Sequence, residues 1–144
     1  MPRVSLTPLP AYGHATELVV RTTDLNYGGH LGNDRLLALL HEARVAFLSA
    51  HGWTELDCGG VSLIMGDAAL EFKGEAFAGD VLAVETGVAE TGRAGFRLAH
   101  RVTRRGDEAT IALAETGQVG YDYEKRRIAP LPDALRTALE DLAP

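Results

Sequence analysis

The sequence predicts an α+β fold: five antiparallel strands wrapped around one long helix, with a short helix near the C-terminus. Three observations carry this. Leu36, Leu40, Ala43 and Phe47 recur at helical spacing within Asp34–Ala50. Beyond Gly60 the apolar period drops to two, in runs separated by glycine-containing turns. No helical pattern interrupts those runs, so neighbouring strands pair antiparallel and the long helix covers one face of the sheet.

Taken in order, residues Glu17–Thr23 hold Leu18, Val19, Val20 and two threonines, a β-prone composition. A polar, glycine-rich segment follows, and Asn33 is positioned to cap the helix with Asp34 against its dipole. At ~1.5 Å per residue that helix spans roughly 25 Å. Arg35, Glu42 and Ser49 form a polar stripe along it, while Leu37 and Leu48 add a further apolar side shared with Arg44. A helix apolar on more than one side is expected to be covered by more than a single sheet face. His51-Gly52 ends it.

After a loop around Trp53–Gly60, Ala68, Leu70 and Phe72 alternate with Ala69, Glu71 and Lys73. Gly79-Asp80 turns the chain into a strand whose one face is Leu82, Val84, Thr86 and Val88. Thr91-Gly92-Arg93 reads as a hairpin, followed by Phe96, Leu98, His100 and Val102 alternating with Arg97, Ala99 and Arg101. Arg105-Gly106-Asp107 turns again into a strand over Thr110–Tyr123, where Ala114, Gly117 and Gly120 signal a bulge or a close backbone approach. Asp133 is expected to cap a terminal helix carrying Leu135, Ala138, Leu139 and Leu142 on one side.

With 144 residues and neither repeat nor linker, one domain over residues 1–144 is expected. The net charge of −6 argues against a nucleic-acid partner. No apolar run approaches the ~18 residues of a membrane span, and the first ten residues lack a signal-peptide core. A single cysteine, Cys58, cannot form an internal disulfide, which suits the cytoplasm. Arg93, Arg97, Arg101, Arg104 and Arg105 cluster in a short stretch, to be read as a solvated hairpin face or as phosphate contacts. A five-stranded sheet around one helix leaves an open edge, so subunits are expected to pair.

The segment with the most chemistry is Asp24-Leu25-Asn26-Tyr27-Gly28-Gly29-His30-Leu31-Gly32-Asn33, which runs directly into the helix. A helix start offers unpaired N–H donors able to hold a polarised carbonyl. Together with Glu42-Ala43-Arg44-Val45-Ala46-Phe47-Leu48, the turn Phe72–Asp80 and Arg127–Pro132, this segment resembles hotdog-fold acyl-CoA thioesterases of the 4-hydroxybenzoyl-CoA thioesterase-like group. The likeness spans roughly Glu17 to Pro132.

The resemblance implies hydrolysis of an acyl-CoA or acyl-carrier-protein thioester in a homodimer or homotetramer, with the site at a subunit interface. It also implies a thioester carbonyl directed at the backbone N–H of Asn33 or a neighbour. The family's catalytic carboxylate falls on position 26, where this chain carries Asn26. An amide cannot act as a base, yet it can orient water or bind a carbonyl.

Asp24, on the same face if the segment is extended, is a candidate base or else a turn carboxylate. His30 is a backbone-bonding turn residue or a proton carrier. Glu42 is the rival base, since a second hotdog branch uses a helix glutamate; its polar stripe otherwise fits a solvated or interface role. Tyr27, Gly29 and Asn33 complete the expected substrate contacts. The histidines show no metal-ligand spacing, and no metal or cofactor is expected. Water is the expected nucleophile. A non-catalytic acyl-CoA-binding module is the alternative, and a hotdog hydratase a third, disfavoured by the motif's place ahead of the helix and by the lack of a clear Asp/His pair.

Overall fold

The computed structural model describes residues 2–144. Its elements run β1 (His14–Val19), a short 3-10 turn (Thr22–Asp24), α1 (Asn33–Ala50), β2 (Leu63–Phe72), β3 (Val81–Thr91), β4 (Gly95–Arg104), β5 (Thr110–Asp122), β6 (Arg127–Ile128) and α2 (Asp133–Leu142). The sheet order is β1-β3-β4-β5-β2, every pair antiparallel, with the two-residue β6 added to β5. The predicted architecture is present, and β1 and β2 are its free edges.

The period-two pattern is what fills the interior. Leu82, Val84 and Val88 on β3 and Phe96, Leu98 and Val102 on β4 are buried beneath the α1 residues Leu36, Leu40, Ala43 and Phe47. Two apolar clusters result, one around Leu36, Leu40, Ala43, Leu82 and Val84, the other around Phe47, Leu48, Leu98, Leu135 and Leu139. The second explains Leu48 on the extra apolar side of α1, which α2 and the loop after α1 cover, while Leu37 stays half-buried in a groove against β2. No helix is long and apolar enough to cross a membrane among the described residues.

Four boundaries differ from expectation. β1 starts at His14 and ends at Val19, because Thr22–Asp24 wind into the 3-10 turn instead of continuing the strand. α1 begins at Asn33 with Gly32 as its cap residue, and the Asn33 side-chain oxygen accepts the Asp34 N–H at 2.9 Å rather than closing the first turn. α2 likewise begins at Asp133 behind Pro132. β2 starts at Leu63, since a bulge at Gly66, between Met65 and Asp67, breaks its alternation. Opposite it, Gly117 leaves the space into which the Asp67 carboxylate fits, the close approach expected of that glycine.

Four arginines of the arginine-rich stretch are paired at the surface. Arg97 bridges Asp67 and Glu115, Arg101 meets Glu85, Arg104 meets Asp107 and Asp80, and Arg105 meets Glu17. Residues ahead of β1, silent in the sequence, lie across the outer sheet face. There the Leu6 N–H donates to Glu71 Oε1 at 2.9 Å, and the Arg101 guanidinium sits 5.0 Å from the centre of the Tyr12 ring.

Candidate active site

Backbone hydrogen bonds fold the segment ahead of α1 into a closed loop. Leu25 and Leu31 form an antiparallel bridge, the Asn26 N–H donates to the His30 carbonyl at 2.9 Å, and the Gly32 N–H donates to the Asp24 carbonyl at 3.0 Å. Gly29 has φ of +80°, a left-handed conformation that glycine adopts without strain, and its N–H donates to the Asn26 carbonyl. A further bond runs from the Leu31 N–H to the carbonyl of Ala76 in the β2–β3 connection, at 2.7 Å.

Within this loop the Asn26 side chain is half-buried and oriented. Its Oδ1 accepts the Gly28 N–H at 2.9 Å, and among the described residues its Nδ2 has no acceptor. The free end of the amide is therefore a donor. Gly28 keeps the surroundings open: a Cβ there would stand 3.2 Å from His30 Nε2 and 3.3 Å from Asn26 Oδ1. Those two groups thus face the same small space. His30 Nδ1 lies 3.3 Å from the Leu31 carbonyl oxygen. A carbonyl can only accept, so neutral His30 carries its proton on Nδ1 and presents a lone pair at Nε2. Gly32 lies against Asn26, 3.6 Å from its Cβ if a side chain were placed there, which brings the amide to the first turn of α1. The Asn33 N–H belongs to that turn, where donors have no intrahelical acceptor.

Asp24 is held differently. The extended geometry that would align it with Asn26 is absent, because Asp24 closes the 3-10 turn. Its carboxylate is buried and accepts the Arg21 N–H at 2.8 Å and the Arg21 guanidinium at 3.3 Å. Burial pushes its pKa up, but the Arg21 bonds outweigh that and hold the carboxyl below its ordinary range.

The structure thus brings together Asn26, Gly29, His30 and Asn33, with Asp24 buried behind them. Tyr27 projects fully into solvent. Glu42 stands apart, in a groove between α1 and β1 with Leu18, Val19 and Arg21. Cys58 is fully buried, and burial with the nearby Asp57 charge pushes its thiol up to about 12, which leaves it inert as a nucleophile. Arg44, placed by the sequence on the further apolar side of α1 but given no role there, is buried mid-helix and bonded to Glu55 in the following loop. A charged residue on the otherwise apolar side of α1 was the available signal.

The profile of the thioesterase-like superfamily matches residues 20–139, from the end of β1 into α2. The chain belongs to this superfamily. Its central motif and helix therefore lie wholly inside the matched region. The chain is 29% identical over 127 residues to a 1,4-dihydroxy-2-naphthoyl-CoA hydrolase of Synechococcus elongatus, covering 85% of this chain and 91% of that protein. Among solved structures it resembles a 1,4-dihydroxy-2-naphthoyl-CoA thioesterase from Synechocystis, with a TM-score of 0.78, 25% identity and coverage of 89% of this chain and 96% of that one. A hypothetical protein from Thermus thermophilus matches equally well, with a TM-score of 0.78, 26% identity and coverage of 89% and 98%. The hotdog fold implied by the sequence is the fold of this superfamily member.

Proposed function

We propose that this chain hydrolyses acyl-CoA thioesters, with water as the nucleophile, at the loop where Asn26 meets the first turn of α1. The observation that carries the proposal is the orientation of the Asn26 amide, its oxygen tied to the Gly28 N–H and its Nδ2 free. In this reading the Asn33 N–H takes the thioester carbonyl oxygen and stabilises the charge that develops on it. Asn26 orients the attacking water, and His30 Nε2 accepts its proton as the new C–O bond forms. Collapse of the tetrahedral intermediate breaks the C–S bond, and the leaving thiolate takes up a proton. Gly29 and Tyr27 border the approach to this loop, and Asp24 holds the loop in place through Arg21.

Tyr27, next to Asn26, projects fully into solvent, which supports a site completed by a second copy. The β2 edge suits that pairing: it is unpaired and exposes Ile64, Met65 and Phe72. A homodimer, alone or doubled into a homotetramer, is the assembly we assign. The whole chain acts as one domain, and the reduced thiol of Cys58 fits the cytoplasm.

The test is thioester hydrolysis over a panel of acyl-CoAs, including the 1,4-dihydroxy-2-naphthoyl ester for which relatives are named. Asn26→Ala and His30→Ala are expected to abolish most turnover, and Glu42→Ala to retain it. Loss of activity in Glu42→Ala alone would transfer the base to the α1–β1 groove. The replacement of the family carboxylate by Asn26 favours one second reading, an acyl-CoA-binding module; tight binding without turnover establishes that instead.

A further inference from the structure

The sheet has a second face, turned away from α1. Leu82, Val84, Leu98 and Val102 point toward the helix, so by alternation Gly87, Ala99 and Leu113 point outward. Ala99 and Leu113 are nevertheless only 4% exposed. Ala99 is the register partner of Gly87, and Leu113 that of Glu71 and Arg101. These small and apolar positions therefore form a shallow trough across β2, β5, β4 and β3.

The chain ahead of β1 fills it. The Leu6 N–H donates to Glu71 Oε1 on β2 at 2.9 Å. Further along, a Cβ on Gly87 would stand 2.8 Å from Leu9 Cδ1 and 3.5 Å from Tyr12 Cδ1, so Leu9 takes the space of a β3 side chain. Tyr12 fixes the far end: its hydroxyl accepts the Leu9 N–H at 3.1 Å, and the Arg101 guanidinium lies over its ring. Pro8 and Pro10 flank Leu9. They hold this stretch extended before it docks, which lowers the entropy lost on ordering, and they lack the N–H groups a further strand would need.

We propose that residues 6–12 are a strap occupying a docking surface for a second copy of this chain, and that the strap thereby holds the assembly at two chains. This rests on the β2-edge pairing assigned above and adds what stops that pair from doubling. A flat trough of glycine, alanine and leucine is a surface on which two sheets pack face to face, about 10 Å apart. Its charges suit a copy of itself. Arg101 is paired with Glu85, and Arg97 with Asp67 and Glu115, so a two-fold related face meets residues of both signs instead of a like-charged field. The tethered strap competes at an effective concentration of roughly millimolar, which a second pair at micromolar concentration does not reach.

The experiment lifts the strap and leaves the trough untouched. In the full chain, Leu9→Asp with Tyr12→Ala removes both anchors and the acceptor of the Leu9 N–H. Light scattering is expected to find two chains per particle in the wild type and four in the double variant, a twofold rise in mass. Hydrogen exchange at the Leu6 and Leu9 amides reports release of the strap as lost protection. Adding Leu113→Arg, which puts a charge into the trough, is expected to return the double variant to two chains. The milder Leu9→Ser carries the test if the double variant does not melt cooperatively, and is expected to give a mixture of two and four. A released strap with the wild-type mass overturns the proposal, as does a wild type of four chains or a doubling that Leu113→Arg leaves in place. A wild type of one chain sinks the β2-edge pairing instead, and the strap is then judged by the same doubling, from one chain to two.

Discussion

Two polar regions flank α1, and they are built by opposite means. At the helix start, Asn26 and His30 are fixed by backbone bonds between residues close in sequence, and they face solvent. In mid-helix, buried Arg44, His100 and Thr86 come from three separate elements, His100 and Thr86 lying between the apolar clusters and Arg44 at the edge of a groove against Met65. The loop can therefore lose a side chain without disturbing the core. The mid-helix region shares whatever happens to the packing around it.

The sharpest way to break this contrast is to damage the packing. Phe47→Ala, deep in the second cluster, is expected to cost about 3–5 kcal/mol in denaturant unfolding, lowering activity through loss of folded protein. Asn26→Ala should do the reverse: kcat falls about 10²–10³-fold, as for loss of an oriented donor, while the unfolding midpoint scarcely moves. If that variant unfolds instead, the loop is part of the core's cooperative unit and the contrast fails.

The next effect separates the regions by pH. Burial first, and then the Arg44 charge, lower His100 from about 6.5 to about 4. The unfolded chain thus binds a proton that the folded protein refuses in this window. Stability is full above pH 6.5 and declines by about 3 kcal/mol as pH falls to 4. Urea melts across that range should show the slope in the wild type and lose much of it in His100→Leu. The smallest effect belongs to the loop's support: Asp24→Asn should cost about 1 kcal/mol, since Arg21 is largely solvated. It should lower kcat more than it raises KM, because in the proposed mechanism the carboxylate positions the loop.

Most of the frame was legible in the residues. The alternation of Leu82–Val88 and Phe96–Val102 and the helical spacing from Leu36 to Phe47 each point to the face that is buried. β2 was read too short because an edge strand with a bulge shows little alternation: Ile64 and Met65 are both exposed. Asn33 has good capping chemistry, yet Gly32 takes the cap because the loop closes through its N–H onto Asp24. The motif around Asn26 was recognisable from its residue types. Asp24 stayed open between a base and a turn carboxylate, since the two look alike until Arg21 is placed. The pairing of Arg44 was hidden for a related reason: its partner Glu55 lies in a loop, where periodicity carries no information.

The hydrogen bond from Leu31 to Ala76 reaches beyond local geometry. It ties the loop proposed to be catalytic to the connection between β2 and β3, residues 73–80, and Leu31 and Ala76 also share one apolar cluster. That connection follows the very strand whose free edge suits a second copy. Events at the proposed subunit boundary therefore have a short mechanical route to the loop, running along one strand and across one amide. Lengthening or stiffening the connection is accordingly a remote dial on turnover, adjustable without altering any group that meets the substrate.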